Sequence, residues 1–97
     1  MARFSFHELA EREMNDAAPY YEGESRGLGV RFLDEIERCI AAIAKNPNAG
    51  AKVRARVRRR LIRKFPYGIL YSVKEDGLRI LAIMNLKRRP TYWVRRS

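Results

Sequence analysis

What the chain has little of excludes a good deal. One cysteine, Cys39, stands among 97 residues, so neither an intrachain disulfide nor a multi-cysteine metal site is possible. One histidine, His7, is present. It has no Cys, Asp or Glu at ligand spacing, so no metal centre is expected, and no cofactor motif is found. Proton transfer near neutral pH usually relies on histidine, and the second half of the chain has none. Neither a Ser-His-Asp arrangement nor a phosphate loop can be traced. No apolar run approaches the ~20 residues that span a bilayer. The opening MARFSFHELAEREM places acidic residues where a signal peptide would have its apolar run. A soluble cytoplasmic protein is the expectation, and the cysteine usage fits a reducing compartment.

Acidic residues are scarce in one half only. Residues 1–51 carry 6 Lys/Arg against 9 Asp/Glu, whereas residues 52–97 carry 15 against 2, giving net charges of −3 and +13. Like charges crowded on one surface repel, so such a split adds nothing to core stability. It suits a surface that meets something anionic, such as nucleic acid, a ribosome or an acidic protein. With 46% hydrophobic residues, the chain can build a core and is no charged disordered tail. Its length fits one domain, residues 1–97.

Phe4 and Phe6 alternate with Arg3 and Ser5, a brief period-two strand signal. From Glu8 the pattern turns helical, with Leu9, Glu13, Ala17 and Tyr20 or Tyr21 recurring every three to four residues. Pro19 is expected to bend this helix or end its regular part. Gly23, Gly27 and Gly29 surround a turn. A second helix comes next, its stripe formed by Leu28, Phe32, Ile36, Ile40 and Ile43 and widened by Leu33 and Ala44. Leu28, Phe32 and Ile36 are assigned to the core. Arg31, Asp34, Glu35, Glu37 and Arg38 are assigned to the opposite, solvated side. Asn46-Pro47-Asn48 stops the helix. After residue 51 the signals are those of strands: an arginine-rich stretch to Lys64, then Tyr67–Val73, then Arg79–Leu86, which is apolar on both faces like a central strand. Glu75-Asp76-Gly77 marks a hairpin between the last two. The fold class is therefore α+β, in the order β–α–α–β–β–β, with a helical hairpin packed on a twisted, mainly antiparallel sheet.

Two segments could carry function. Lys52–Lys64 holds eight basic residues in thirteen. As a strand it would put Arg58, Arg60 and Lys64 on one face and Arg59 and Arg63 on the other. Guanidinium groups fork onto two phosphate oxygens and stay charged; the bland alternative is a charged edge that discourages aggregation. The second segment is Leu86–Ser97, where Lys87, Arg88, Arg89, Arg95 and Arg96 surround Tyr92 and Trp93. Interleaved basic and aromatic residues suit single-stranded nucleic acid. Trp93 is read as a core plug, because its area favours burial; Tyr92 is left open between the two roles. His7 is read as a capping or surface residue and Cys39 as a buried small hydrophobe.

The stretches AAPYYEGESRGLGVRFLDEIERCIAAIAKNP, VRRRLIRKFPYGILYSV and ILAIMNLKRRPTYW, in that order, resemble the RelE/ParE superfamily of toxins from bacterial type II toxin–antitoxin systems. The most specific parts are Tyr20-Tyr21 to Phe32-Leu33, Arg63-Lys64-Phe65-Pro66-Tyr67, and Arg88-Arg89-Pro90 with Tyr92-Trp93. The resemblance implies the same β–α–α–β–β–β fold and a toxin held inactive by a cognate, acidic antitoxin in a hetero-oligomer. The superfamily divides by target. ParE-like members inhibit DNA gyrase by binding it, whereas RelE-like members cut mRNA on the ribosome. The FPY and RPxYW segments resemble the ParE-like side. Many relatives carry histidine where this chain has Asn85, which cannot exchange a proton near pH 7. On the nuclease alternative Arg63, Arg88 and Tyr92 would be catalytic, with Arg59, Arg60 and Lys64 as phosphate contacts. A third reading is a non-enzymatic nucleic-acid-binding module or an inactive relative.

Overall fold

The computed structural model describes residues 3–96. Its first strand, β1 (Phe4–Phe6), is short and exposed at one sheet edge, and leads into helix α1 (Glu8–Glu24). His7 is the N-cap, its Nδ1 accepting from the Leu9 N–H at 3.1 Å, and Glu8 and Glu11 place negative charge in the first turn, where the helix dipole favours it. Pro19 does not end the helix: regular structure continues one and a half turns beyond it. The missing N–H frees the carbonyl four residues back, at Asn15. Both residues are exposed, so water can satisfy that oxygen.

Helix α2 (Leu28–Lys45) comes after a turn in which Gly27 adopts φ 83°. No residue of its own caps it. Instead the Glu22 carboxylate, at the end of α1, accepts from the N–H groups of Gly27 (2.9 Å) and Gly29 (3.0 Å), satisfying two of the orphan donors of the helix start. Gly29 is also where the helices meet most closely, since a Cβ there would lie 2.5 Å from the Ala18 carbonyl oxygen.

The arginine-rich stretch is two strands, not one. β2 (Ala51–Arg54) and β3 (Val57–Leu61) form a hairpin turning at Ala55-Arg56, with Ala55 at φ 38°. β4 (Tyr67–Lys74) and β5 (Gly77–Asn85) complete a sheet of order β1-β5-β4-β3-β2. All neighbours are antiparallel except β1, which runs parallel to β5. The fold is thus the expected α+β arrangement, a helical hairpin on a mainly antiparallel sheet, with one additional edge strand. Gly77 is required where it stands. Its φ is 132°, and a Cβ would run into the Arg3 backbone, blocking the approach of β1 to β5.

The sheet is apolar on both sides. On one, Phe32, Ile36, Ile40 and Ile43 of α2 pack with Ile69, Tyr71 and Ile80. On the other, Val57, Leu70, Leu81, Ala82 and Met84 gather around Trp93. Leu81 and Ala82 face the same side because β5 is bulged there: Leu70 pairs with Ala82, and Tyr71 with Ile80. Leu28 is only partly buried and Leu33 is exposed, so the core stripe of α2 runs from Phe32 to Ile43. Glu35 corrects another expectation. It is 7% exposed and lies under Arg38, which donates to it at 3.4 Å.

Candidate target-binding surface

The cations are distributed by the register of the hairpin. Arg58 and Arg60 pair with Tyr71 and Ile69 and face the helices; Arg59 pairs with Leu70 and faces the other side, as the strand alternation predicts. Arg58 is spent internally, donating to the carbonyls of Asn48 (3.0 Å) and Gly50 (2.8 Å). Tyr71 secures the same loop through its hydroxyl, which donates to Pro47 O at 2.6 Å. Arg60 is half-buried near Cys39, whose thiol burial pushes up to about 11 against the opposing pull of that guanidinium. Cys39 is therefore a thiol, not a thiolate, at neutral pH.

Arg63 and Lys64 lie beyond the end of β3, exposed in the turn to β4. Lys64 takes φ 70°, a left-handed conformation unusual for a residue with a Cβ. The next residue, an aromatic, explains how the turn holds it. Phe65 inserts between Tyr21 and Phe32, with ring centroids 4.9 and 5.2 Å away. The turn closes by Ile62 N–H to Tyr67 O at 3.0 Å. Leu86 N–H donates to Pro66 O at 2.9 Å, which ties the start of the C-terminal segment to this turn. Arg63, Lys64, Lys87, Arg88 and Arg89 therefore share one end of the sheet, and all five are exposed. The Ala55-Arg56 turn is at the opposite end of β3, so the eight basic residues of 52–64 do not form one patch.

The C-terminal segment folds back and ends in a single 3-10 turn, Val94–Arg96. Trp93 is 4% exposed and its Nε1 donates to Pro90 O at 2.6 Å, which settles it as a core plug. Tyr92 is half-buried, and its hydroxyl donates to Glu13 Oε2 at 2.6 Å. The guanidinium carbons of Arg88 and Arg96 lie 4.1 and 4.8 Å from its ring centre. Burial first, then the bond to the Glu13 carboxylate, hold this phenol well above its ordinary range, with Arg96 and Arg88 opposing. Arg96 is not free for a partner: it makes a bidentate pair with Glu13 at 2.8 and 3.1 Å and donates to Leu81 O at 3.2 Å. Arg95 is exposed.

Glu13 is the residue that sequence reasoning missed. It occupies a core-facing position of α1, in line with Leu9 and Ala17, and that misplaced charge was the available signal. Besides Tyr92 and Arg96, it accepts from the Ile83 N–H at 3.1 Å and lies 3.9 Å from Arg88.

Beside this cluster opens a cleft of about 600 Å³, with Asp16, Tyr20, Tyr21, Tyr67, Asn85 and Lys87 among its lining. It contains no histidine. Asn85 turns inward on its own loop, its Oδ1 accepting from Lys87 N–H at 2.9 Å and its Nδ2 lying 3.5 Å from the Tyr67 hydroxyl. Tyr20 is raised by its hydrogen bond to Glu24, and Tyr21 by burial, so both phenols stay protonated at neutral pH. Of the three nuclease candidates, Arg88 and Tyr92 are in contact, while Arg63 reaches this end from the neighbouring turn. Among the described residues, no group of His, Cys, Asp and Glu is placed to hold a metal ion, and no helix is long and apolar enough to cross a membrane.

The sequence has no match among curated proteins. Among solved structures it is similar to one described as the chromosomal ParDE TA system from P. aeruginosa, with TM-score 0.72 at 18% identity, covering 89% of this chain and 97% of that one; at that identity the likeness concerns the fold. The family described as ParE toxin of type II toxin-antitoxin system, parDE, matches residues 4–90, nearly the whole length and including Arg63, Lys64, Lys87, Arg88 and Arg89, and the chain belongs to that family of toxins.

Proposed function

We propose that this protein inhibits DNA gyrase by binding it, and that a cognate acidic antitoxin neutralises it. The observation that carries this reading is the state of Tyr92. Its proton is committed to Glu13, and its ring lies against Arg88 and Arg96. A phenol so held is no general base, and the adjoining cleft offers no histidine to replace it. What remains is a binding surface: Arg63, Lys64, Lys87, Arg88 and Arg89 exposed at one end of a rigid sheet. Such an array attracts an anionic partner and speeds encounter.

The antitoxin reading is supported by a second face. An apolar groove of about 690 Å³ runs between the helices and β1, past Phe4, Phe6, Met14, Leu33 and Ile40. Phe4 is half exposed there, and an amphipathic helix would bury that surface.

Purified protein added to a gyrase supercoiling reaction is the direct test. Inhibition with accumulated cleaved DNA, and none in reactions containing the antitoxin, is the expected result. Ribosome-dependent cleavage of mRNA with unaffected supercoiling would replace this reading with the nuclease one.

A further inference from the structure

The C-terminal segment has almost no regular structure of its own, yet it carries four of the exposed cations. Beyond the Leu86–Pro66 bond at its start, two side-chain attachments stand out among the described residues. One is Trp93, sunk into the sheet face away from the helices. The other is Glu13, 79 and 83 residues earlier than the Tyr92 and Arg96 side chains it binds. β1 explains why that second attachment exists. It pairs with β5 only from Leu78 to Ile80, and beyond that point pairing on this edge has run out. The Leu81 carbonyl accepts from Arg96, and the Ile83 N–H donates to Glu13. An ion pair between α1 and the tail thus stands where a longer β1 would have been. A carboxylate at a core-facing helix position is costly unless its acceptor sites are filled; here both oxygens are occupied and the side chain is 15% exposed.

We propose that Glu13 is a positioning residue: it anchors residues 86–96 to α1 and the open edge of β5, and so sets where Lys87, Arg88, Arg89 and Arg95 stand. It acts on Arg88 mainly through Tyr92, whose ring carries that guanidinium at 4.1 Å. Its consequence for potency rests on the tail being part of the target-binding surface; the anchoring itself does not.

Trp93 is the only tryptophan, so its emission reports the tail directly. Full-length Glu13→Ala is expected to melt cooperatively with unchanged far-UV circular dichroism. Its Trp93 emission should shift to the red, and acrylamide quenching should rise about twofold or more, as loss of several coupled contacts implies. Growth inhibition should fall roughly tenfold, further than in an Ile43→Val variant of equal melting temperature. Arg96→Gln leaves the carboxylate to Tyr92 and Ile83 and gives the same signature at smaller amplitude if the alanine variant does not fold. Unchanged Trp93 emission and quenching in the folded variants would overturn the anchor. A released Trp93 with undiminished toxicity would overturn the positioning role and leave the gyrase reading standing. Insensitivity of gyrase to the unmodified protein would remove that reading and leave the Trp93 result intact.

Discussion

Two weak acids, buried Cys39 and half-buried Tyr92, show how environment fixes protonation at the level of single residues. Cys39 ionises near 9 when solvated and near 11 here, because burial penalises the thiolate. Its folded pKa lies above the unfolded one, so the stability it contributes is complete below pH 9 and is lost as pH rises toward 11. A plot of melting temperature against pH should therefore fall on the alkaline side, and Cys39→Ala should flatten part of that fall. The Tyr92 phenol acts in the same sense above its ordinary pKa. Tyr92→Phe removes its hydrogen bond to a carboxylate that still has Arg96 and Ile83, costing about 1–2 kcal/mol in denaturant unfolding. It should lower growth inhibition less than Glu13→Ala does, because the ring under Arg88 and the Arg96–Glu13 pair both remain, whereas a nuclease that used this hydroxyl would be silenced.

Among the elements, the helical hairpin and the C-terminal segment depend on different contacts. Gly29→Ala would press a methyl group against the Ala18 carbonyl oxygen, and spreading the helices to admit it should cost about 1–3 kcal/mol. Pro19→Ala works the other way. It restores an N–H to a helix that already continues through this position, and should raise the melting temperature by the equivalent of roughly 1–2 kcal/mol, less than the full proline penalty because the unfolded chain gains freedom. Trp93→Ala empties the centre of the second core cluster and should cost about 3–5 kcal/mol by chemical denaturation. It should also loosen the tail.

For the molecule as a whole, charge decides. Arg63→Ala together with Arg88→Ala removes two exposed cations from the end of the sheet where the 63–64 turn meets the tail. The double variant should keep its melting temperature within about 1 kcal/mol of stability and lose growth inhibition. Retained toxicity in the folded double variant would mean that the target is met elsewhere. Target binding should also weaken steeply between low and physiological salt, since exposed charges are screened over roughly 8–10 Å.

Alternation and helical periodicity are local properties of the chain, and the features they govern are legible in it. The α2 stripe, the 75–77 hairpin, the doubly apolar β5 and the mainly antiparallel α+β fold all come from spacing alone. So does the opposite facing of Arg58 and Arg59. The split of charge is visible by counting, and the capping role of His7 by its place before a helical run. Side-chain partners separated by most of the chain obey no period, and only tertiary packing assigns them. That is why Pro19 could sit inside a helix, its freed carbonyl facing water. It is also why the arginine-rich stretch became a hairpin with its cations divided between two ends, and why Glu35 was covered. Above all it is why Glu13, an acid in an apolar register, found Tyr92 and Arg96 some eighty residues away: the carboxylate needed donors, and the unpaired edge of β5 with the returning tail supplied them.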